Sequence, residues 1–485
     1  MSDFPNYEPV IGLEVHVQLS TASKAYASDS TDFGALPNTL VSPITLGHPG
    51  TLPKANTAVV DYAIQLGLAC GCTIREHNLY ARKNYFYADL PKGYQITQDA
   101  TPICTGGGVR IRLSDGTEKT IRLTRIHMEE DTGKSLHDLD PFHTLIDLNR
   151  AGVPLLEIVS EADFRTGEEA YQYLSEIRKL VRYLDISDGN MEEGSLRCDV
   201  NISVRPVGQE KFGTKVEVKN MNSFRNVQKA IDFETERQIA AIRNGETIFQ
   251  ETRMFDASKG ATILMRTKED AHDYRYFVEP DLPPVVVTPK AIGRIQAELP
   301  ELPQARFERY QSEWKLTEYD AGLLTENRAT ADFFESLVAV GCSPKSAANW
   351  VMGPIRSWLN ERAMPLSEFP LSVAALHALI ALVETDTVSF SAAQQRLFPA
   401  LLDQPHANAA DLAQQLGIVQ QKDVQALEAH IDAVLAEWPD KVAEYQAGKK
   451  GLIGLFMGEV MKRSGGSADP KTTTTLLRTK LDAGQ

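Results

Sequence analysis

At 485 residues the chain is too long for a single core, and its composition, 42% apolar and 24% charged, is that of an ordinary folded protein of two or three domains. No apolar run is long enough to span a bilayer, and the opening MSDFPNYEP has neither the basic nor the apolar region of an export signal, so a cytoplasmic protein without membrane attachment is expected. A net charge of −15 argues against a surface that is basic throughout, as phosphate binding over the whole molecule would require.

The first element is IGLEVHVQL, residues 11 to 19. Its strict alternation predicts a strand with Ile11, Leu13, Val15, Val17 and Leu19 on one face and Glu14 and His16 side by side on the other. Polar residues on such a face ordinarily meet water. The alternative is a carboxylate and an imidazole sharing a site, with a metal.

Cys70, Cys72, Cys104, Cys198 and Cys342 are an odd set without paired zinc spacing, which predicts reduced and mostly buried thiols. In ARKNYFYADLPKGYQITQ (81 to 98), Lys83 and Lys92 bracket Tyr85, Phe86 and Tyr87, with Tyr94 following. Cations beside aromatic rings suit phosphates and stacked bases, although a surface hairpin packed on the core reads the same way.

VRIRL and KTIRLTRIHM alternate as strands and lead into RIHMEEDTGKS (125 to 135), which gathers His127, Glu129, Glu130, Asp131 and Lys134. TGKS imitates the end of a phosphate-cradling loop, but that loop needs glycine where Met128 stands, so none is encoded. In DLNRAGVPLLEIVSEADF, Glu157 interrupts the apolar run Leu155, Leu156, Ile158, Val159. A carboxylate there is costly unless a cation, a metal or several donors meet it. Hard divalent cations take oxygen ligands, which Glu14, Glu129 or Glu130, and Glu157 could supply, with His16 beside them.

A helix follows, capped by Thr166 with Glu169 three residues on and striped by Leu174, Ile177, Val181 and Leu184. LRCDVNISVRP sets Arg197, Asp199, Asn201 and Ser203 on one strand face. TKVEVKN adds Glu217, Lys219 and Asn220, a second helix is expected after Asn222-Ser223, and DYRYFVEPDLP adds Asp273, Arg275, Glu279 and Asp281. Together these polar rows suggest a cavity for sugar hydroxyls and phosphates, with Arg197, Asp199, Asn201, Lys219, Asn220 and Arg275 as nucleotide or substrate contacts.

Beyond the proline-rich VEPDLPPVVVTPK, helical periodicity replaces alternation. The predicted order is an α+β domain of mixed and antiparallel strands with inserted helices (1–292), an all-α domain (293–405) and a small helical tail (406–485). From Lys449 to the end, seven basic residues against three acidic ones leave a local charge of +4, with Lys449, Lys450, Lys462, Arg463 and Lys471 among them.

IGLEVHVQL, STDFGALPNT, RKNYFYADLPKGYQI, HMEEDTGKS, DLNRAGVPLLEIVSE, GSLRCDVNISVRP, KNMNSFRNVQKAIDFE and DYRYFVEPDLPP, in that order, resemble the bacterial B subunits of aspartyl/glutamyl-tRNA amidotransferases, and the likeness runs to the C-terminal GLIGLFMGEVMKRSGG. The resemblance implies a cradle-like catalytic N-terminal domain in a heterotrimer with an amidase A subunit and a small C subunit. It implies a ligase that uses ATP and Mg²⁺ to phosphorylate the side-chain carboxylate of Glu-tRNA(Gln) or Asp-tRNA(Asn), then amidates it with ammonia freed from glutamine by the amidase. The family's metal-site residues fall on Glu14, His16, Glu129, Glu130 and Glu157, and its residues of the ammonia route and amide-forming site on Lys83 and Lys92. The basic tail would contact the tRNA body. Some members hold zinc through four cysteines; here those positions are Ala27, Asp29, Ser42 and Thr45, so no zinc is expected. A tRNA-binding scaffold without catalysis is the competing expectation, and a stand-alone metal-dependent hydrolase is disfavoured because no positioned nucleophile is evident.

Overall fold

The computed structural model describes residues 6–137, 139–267, 274–420, 424–464 and 468–482. It contains two compact units, Met1–Pro303 and Gln304–Gln485.

The first unit is organised by a ten-stranded sheet. Its central strands run in the order Val216–Lys219, Leu196–Pro206, Tyr7–Gln18, Pro154–Ser160 and Glu118–Glu130. All of these neighbours are antiparallel; further out, Val216–Lys219 pairs in parallel with Glu251–Asp256, so the sheet is mixed. The alternation expected of the opening strand holds throughout: Ile11, Leu13, Val15 and Val17 are buried. They join a core with helices Thr57–Ala69, Gly167–Tyr183 and Phe224–Arg243, which therefore cover one face of the sheet.

Local signals start the last two of these helices at the expected positions. Thr166 Oγ1 accepts from the Glu169 amide, and Ser223 Oγ from the Asn226 amide. The reciprocal half of the Thr166 box is displaced by one residue, because the Glu169 carboxylate accepts from the Arg165 amide. Leu174, Ile177, Val181 and Leu184 are all buried. The five cysteines are free and buried.

A small three-stranded sheet, Phe277–Val278, Ala81–Asn84 and Tyr94–Thr97, carries Lys83 on its middle strand. The domain boundary expected near residue 293 falls inside helix Pro289–Glu298, whose Ile295 is part of the first unit's core. Among its described residues the second unit is helical in its regular elements and contains two hydrophobic clusters, one from Tyr310 to Ile418 and one from Leu427 to Leu481. Among the described residues, no helix is long and apolar enough to cross a membrane.

Candidate functional site

The sheet face opposite the helices gathers polar residues through its register. His16 stands directly across from Arg197 on one side and Glu157 on the other, and Glu157 stands across from His127. Residues directly opposite in antiparallel strands share a face, so Arg197, His16, Glu157 and His127 form one row over four strands. Glu14, two residues before His16, and Glu129, two after His127, extend the same face.

Side chains converge accordingly. His16 Nε2 lies 3.3 Å from Glu157 Oε2, 3.6 Å from Glu129 Oε1 and 3.9 Å from Glu14 Oε1. His127 Nε2 lies 3.5 Å from the same Glu157 oxygen and 3.9 Å from Glu129 Oε2. Sequence reasoning does not single out His127 as a ligand. The signal that points to it is parity, since it lies two residues from Glu129 on one strand.

The charges at this centre are strained by burial. Burial raises the Glu14 carboxyl to about 7, and the nearby Glu157 adds to the shift. Burial and Glu157, in that order, also raise Glu129 to about 7. Burial opposes ionisation of Glu157 too, but the neighbouring imidazoles and Lys83 outweigh it and hold this carboxyl well below the usual range. Burial likewise disfavours His16 in its charged form, yet the bond to Glu157 and the charge of Glu129 raise it to about 9. His127, which burial drives down to about 4, is neutral at pH 7. Three carboxylates and two imidazoles this close could hold a divalent cation.

Lys83 points its ammonium over the Tyr274 ring, 4.9 Å from the centroid. Burial works against its charge, but Glu129 foremost and Glu157 also hold its pKa above the ordinary value. Glu130 does not share the cluster. It faces the other way, forms an ion pair with Lys92 and accepts from the Ile96 amide at 2.9 Å. Lys92 also lies against Tyr94, 5.2 Å from its ring centroid.

The remaining candidates are more dispersed. Arg197 is in the row but its guanidinium turns to Asp131, at 2.9 Å. Asp199 pairs with Lys219, which also meets Glu217 at 3.2 Å. The Asn201 side-chain oxygen is buried without a partner among the described residues. Asn220 is exposed, with left-handed backbone at φ +63°. The Arg275 carbonyl accepts from Asn84 Nδ2 at 2.9 Å, tying its segment to the strand of Lys83, while Asp273 lies outside the described residues. Glu279 is buried and receives two bonds from Arg82. At the positions related to zinc ligands elsewhere, the Asp29 carboxylate accepts from the hydroxyls of Ser42 and Thr45.

In the second unit the basic tail is largely matched by acids. Lys449 meets Glu444 at 3.0 Å, Lys450 meets Asp482 at 2.8 Å, Lys462 approaches Glu459 at 3.9 Å and Arg463 pairs with Glu437. Lys471 is exposed at the start of helix Pro470–Asp482.

Comparison with known proteins places the chain in a family. Residues 9–293 match the GatB/GatE catalytic domain, and residues 332–481 match the GatB domain. The chain is 52% identical to the B subunit of the aspartyl/glutamyl-tRNA(Asn/Gln) amidotransferase of Thermosynechococcus vestitus, over 99% of its own length and 97% of the relative's. It is 50% identical to the B subunits of the same enzyme from Chlorobium luteolum, over 98% and 99%, and Chlorobaculum tepidum, over 99% and 100%. A sheet face built around two imidazoles and three carboxylates thus sits inside a full-length match, and the chain belongs to the family of aspartyl/glutamyl-tRNA(Asn/Gln) amidotransferase B subunits.

Proposed function

We propose that this chain is the tRNA-binding, carboxylate-activating subunit of an ATP-dependent tRNA amidotransferase, working in the cytoplasm beside an amidase A subunit and a small C subunit. Its substrate is Glu-tRNA(Gln), Asp-tRNA(Asn) or both; the side-chain carboxylate is phosphorylated and then amidated with ammonia derived from glutamine. The observation that carries this reading is the convergence of Glu14, His16, Glu129 and Glu157 on one sheet face in a chain matched end to end by B subunits of this family.

Those four side chains fit Mg²⁺, and Glu129 and Glu157 are nearly enclosed, as an ion displacing water requires. A cation held there would supply positive charge to the phosphate oxygens. The chain's own residues do the rest. Lys83, kept charged beside the carboxylates, orients an anionic substrate and offsets developing negative charge. Lys92 and Glu130, ion-paired on the other face of the strand that carries Glu129, are proposed to line the route by which ammonia reaches the activated carboxylate, where the attacking nitrogen forms the amide bond and phosphate leaves. Arg197, Asp199, Asn201, Lys219, Asn220 and Arg275 are proposed to border the nucleotide and the acceptor end. Lys449, Lys450, Lys462, Arg463 and Lys471 are proposed for the tRNA body, where RNA is recognised by shape and phosphates. With Asp29 hydrogen-bonded to Ser42 and Thr45, no zinc site is proposed.

The test uses the chain co-purified with its two partner subunits and mischarged Glu-tRNA(Gln), with ammonium chloride replacing glutamine. ADP and Gln-tRNA(Gln) are expected only with ATP and Mg²⁺. Glu157→Gln should bind tRNA normally yet lose both products, by ~100-fold or more. Unchanged turnover in Glu157→Gln would leave a tRNA-binding scaffold, the competing function.

A further inference from the structure

We infer that the row of rings Tyr87, Tyr85, Tyr274 and Tyr276 is a stacking track for the unpaired 3′-terminal nucleotides of the aminoacylated tRNA, leading the attached amino acid to the carboxylate face. This rests on the substrate reading proposed above and deepens it by naming what holds the RNA end.

The rings form one chain of edge-to-face contacts, Tyr87 to Tyr85 at 5.8 Å between centroids, Tyr85 to Tyr274 at 6.0 Å and Tyr274 to Tyr276 at 6.0 Å. Register puts the row on one side of the small sheet. Arg82 stands across from Phe277 and shares its face, whereas Lys83 stands across from Gln95 on the other. Tyr85, two residues past Lys83, and Tyr276, next to Phe277, fall on the Lys83 face. The two faces use their cations differently. Arg82 is committed to Glu279 at 2.7 Å and Asp281 at 2.9 Å. Lys83 has no ion pair among the described residues and lies over the Tyr274 and Tyr85 rings, 4.9 and 5.9 Å from their centroids. The middle of the row is fixed, since the Tyr85 hydroxyl donates to Gln95 Oε1 at 3.2 Å and the Asn84 amide to the Tyr274 carbonyl at 3.0 Å. Its ends are open, with Tyr87 58% and Tyr276 42% exposed. Rings braced in this way lose little freedom when a ligand covers them.

The inner end of the row reaches the carboxylate face. Burial raises the pKa of the Tyr276 hydroxyl; Lys83 opposes this and Glu157 adds to it, so both charges lie close by. Glu129 and Glu157 are nearly enclosed, so a thin chain reaches them and a double-helical stem does not. A single strand follows such a path by stacking its bases on rings, and because every base has a π-face the track needs no particular sequence. The Lys83 ammonium is placed to meet a phosphate between stacked bases. Uncovered rings beside an unpaired cation thus match a polyanion that carries aromatic bases; an apolar protein surface would leave that cation buried and unanswered.

The experiment is filter binding of uncharged tRNA(Gln), whole or shortened by its unpaired 3′ nucleotides, to the purified three-subunit complex. Wild type should hold the whole RNA more tightly. Tyr87→Ala and Tyr276→Ala should each lose about 5- to 100-fold in affinity for whole tRNA and nothing for the shortened one. Tyr276→Phe, which keeps the ring and loses the hydroxyl, should bind as wild type does. Both positions are exposed, so the Ala variants should fold, and gel filtration counts the partner subunits each retains. Equal affinity of wild type for the two RNAs, or equal losses for both RNAs in the variants, overturns the track. Loss of a partner subunit in the Ala variants reassigns the rings to a protein interface. A raised KM for ATP with unchanged RNA binding reassigns them to the adenine of the nucleotide. Either result overturns the proposal. RNA binding needs no turnover, so a complex that makes ADP and Gln-tRNA(Gln) yet ignores the 3′ end loses the track alone.

Discussion

Glu129 and Glu130 are adjacent in the chain and serve opposite faces of one strand. Glu129 shares its oxygens between His16 and His127, whereas Glu130 is bound by Lys92 and the Ile96 amide. Their neutral isosteres should therefore fail differently. Glu129→Gln should lower Mn²⁺ affinity and ADP formation by ~100-fold with little loss of stability, since it relieves a carboxyl that burial already disfavours. Glu130→Gln should keep Mn²⁺ binding but strand the Lys92 ammonium in a mostly buried position, at a cost of ~3 kcal/mol in unfolding free energy. Manganese titration and denaturant unfolding of both variants check this. Matching losses in the two assays would refute the division of roles.

A second prediction concerns Lys24, which is wholly buried and donates to the Leu40 carbonyl at 2.6 Å. Burial lowers its pKa to about 8, although Asp29, Glu130 and Asp147 pull the other way. Unfolded, it titrates near the ordinary lysine value of 10.5. Between these limits the unfolded chain holds more protons than the folded one, so the position's contribution to stability rises with pH across this window. Below the folded pKa the full penalty of a buried ammonium applies. Lys24→Met removes the titration, so wild-type stability minus variant stability should rise by on the order of 3 kcal/mol between pH 7.5 and 10.5. Urea unfolding of both proteins across that range is the measurement, and a constant difference would count against it.

The candidate site is legible in the sequence where chemistry and local period coincide. Alternation places Glu14 and His16 on one face, and the intrusion of Glu157 into Leu155–Val159 marks it as a carboxylate with a partner. Two things are not legible. The alternating KTIRLTRIHM stops at Met128, yet the strand continues through Glu130, and that extension sends Glu129 and Glu130 to opposite faces. The partnership of His16, Glu157 and His127 is a matter of sheet order: these residues are distant in sequence and meet only because Tyr7–Gln18, Pro154–Ser160 and Glu118–Glu130 are neighbours in that register. Helical periodicity indicates the all-helical second unit correctly. The net charge of its tail does not reveal that most of the named basic groups already have acidic neighbours.

Arg197 illustrates how a residue that looks free for phosphate can have its charge engaged elsewhere. Asp131 is nearly enclosed, and burial alone would raise its pKa. Arg197 and Arg150 outweigh that and hold its carboxyl below the usual range, with Gln18 Nε2 donating at 2.7 Å. Such a carboxylate adds stability above its unfolded pKa and loses it as pH falls through the folded value. Asp131→Asn is thus expected to cost about 2–3 kcal/mol at pH 7, with the deficit shrinking below pH 4. Chemical denaturation at pH 7 and pH 2 measures both. A deficit that persists at the lower pH would show that the carboxylate's charge is not what matters.

The tail offers a separation between folding and RNA contact. Arg463 is ion-paired with Glu437 and Lys480 with Asp432 at 2.6 Å, so these cations hold helices of the last cluster together. Lys471, exposed in the first turn of Pro470–Asp482, is where a helix least tolerates a positive charge, because the backbone dipole is itself positive there. Lys471→Ala should therefore leave the melting temperature unchanged or slightly higher, while lowering the slope of log affinity for tRNA against log salt by about 1, as expected for a lost phosphate contact. Arg463→Ala should instead lower the melting temperature, with any loss of tRNA affinity following from that. Filter binding at several salt concentrations together with thermal melting separates the two. A tRNA affinity and salt slope unmoved by Lys471→Ala would remove this residue from the RNA surface.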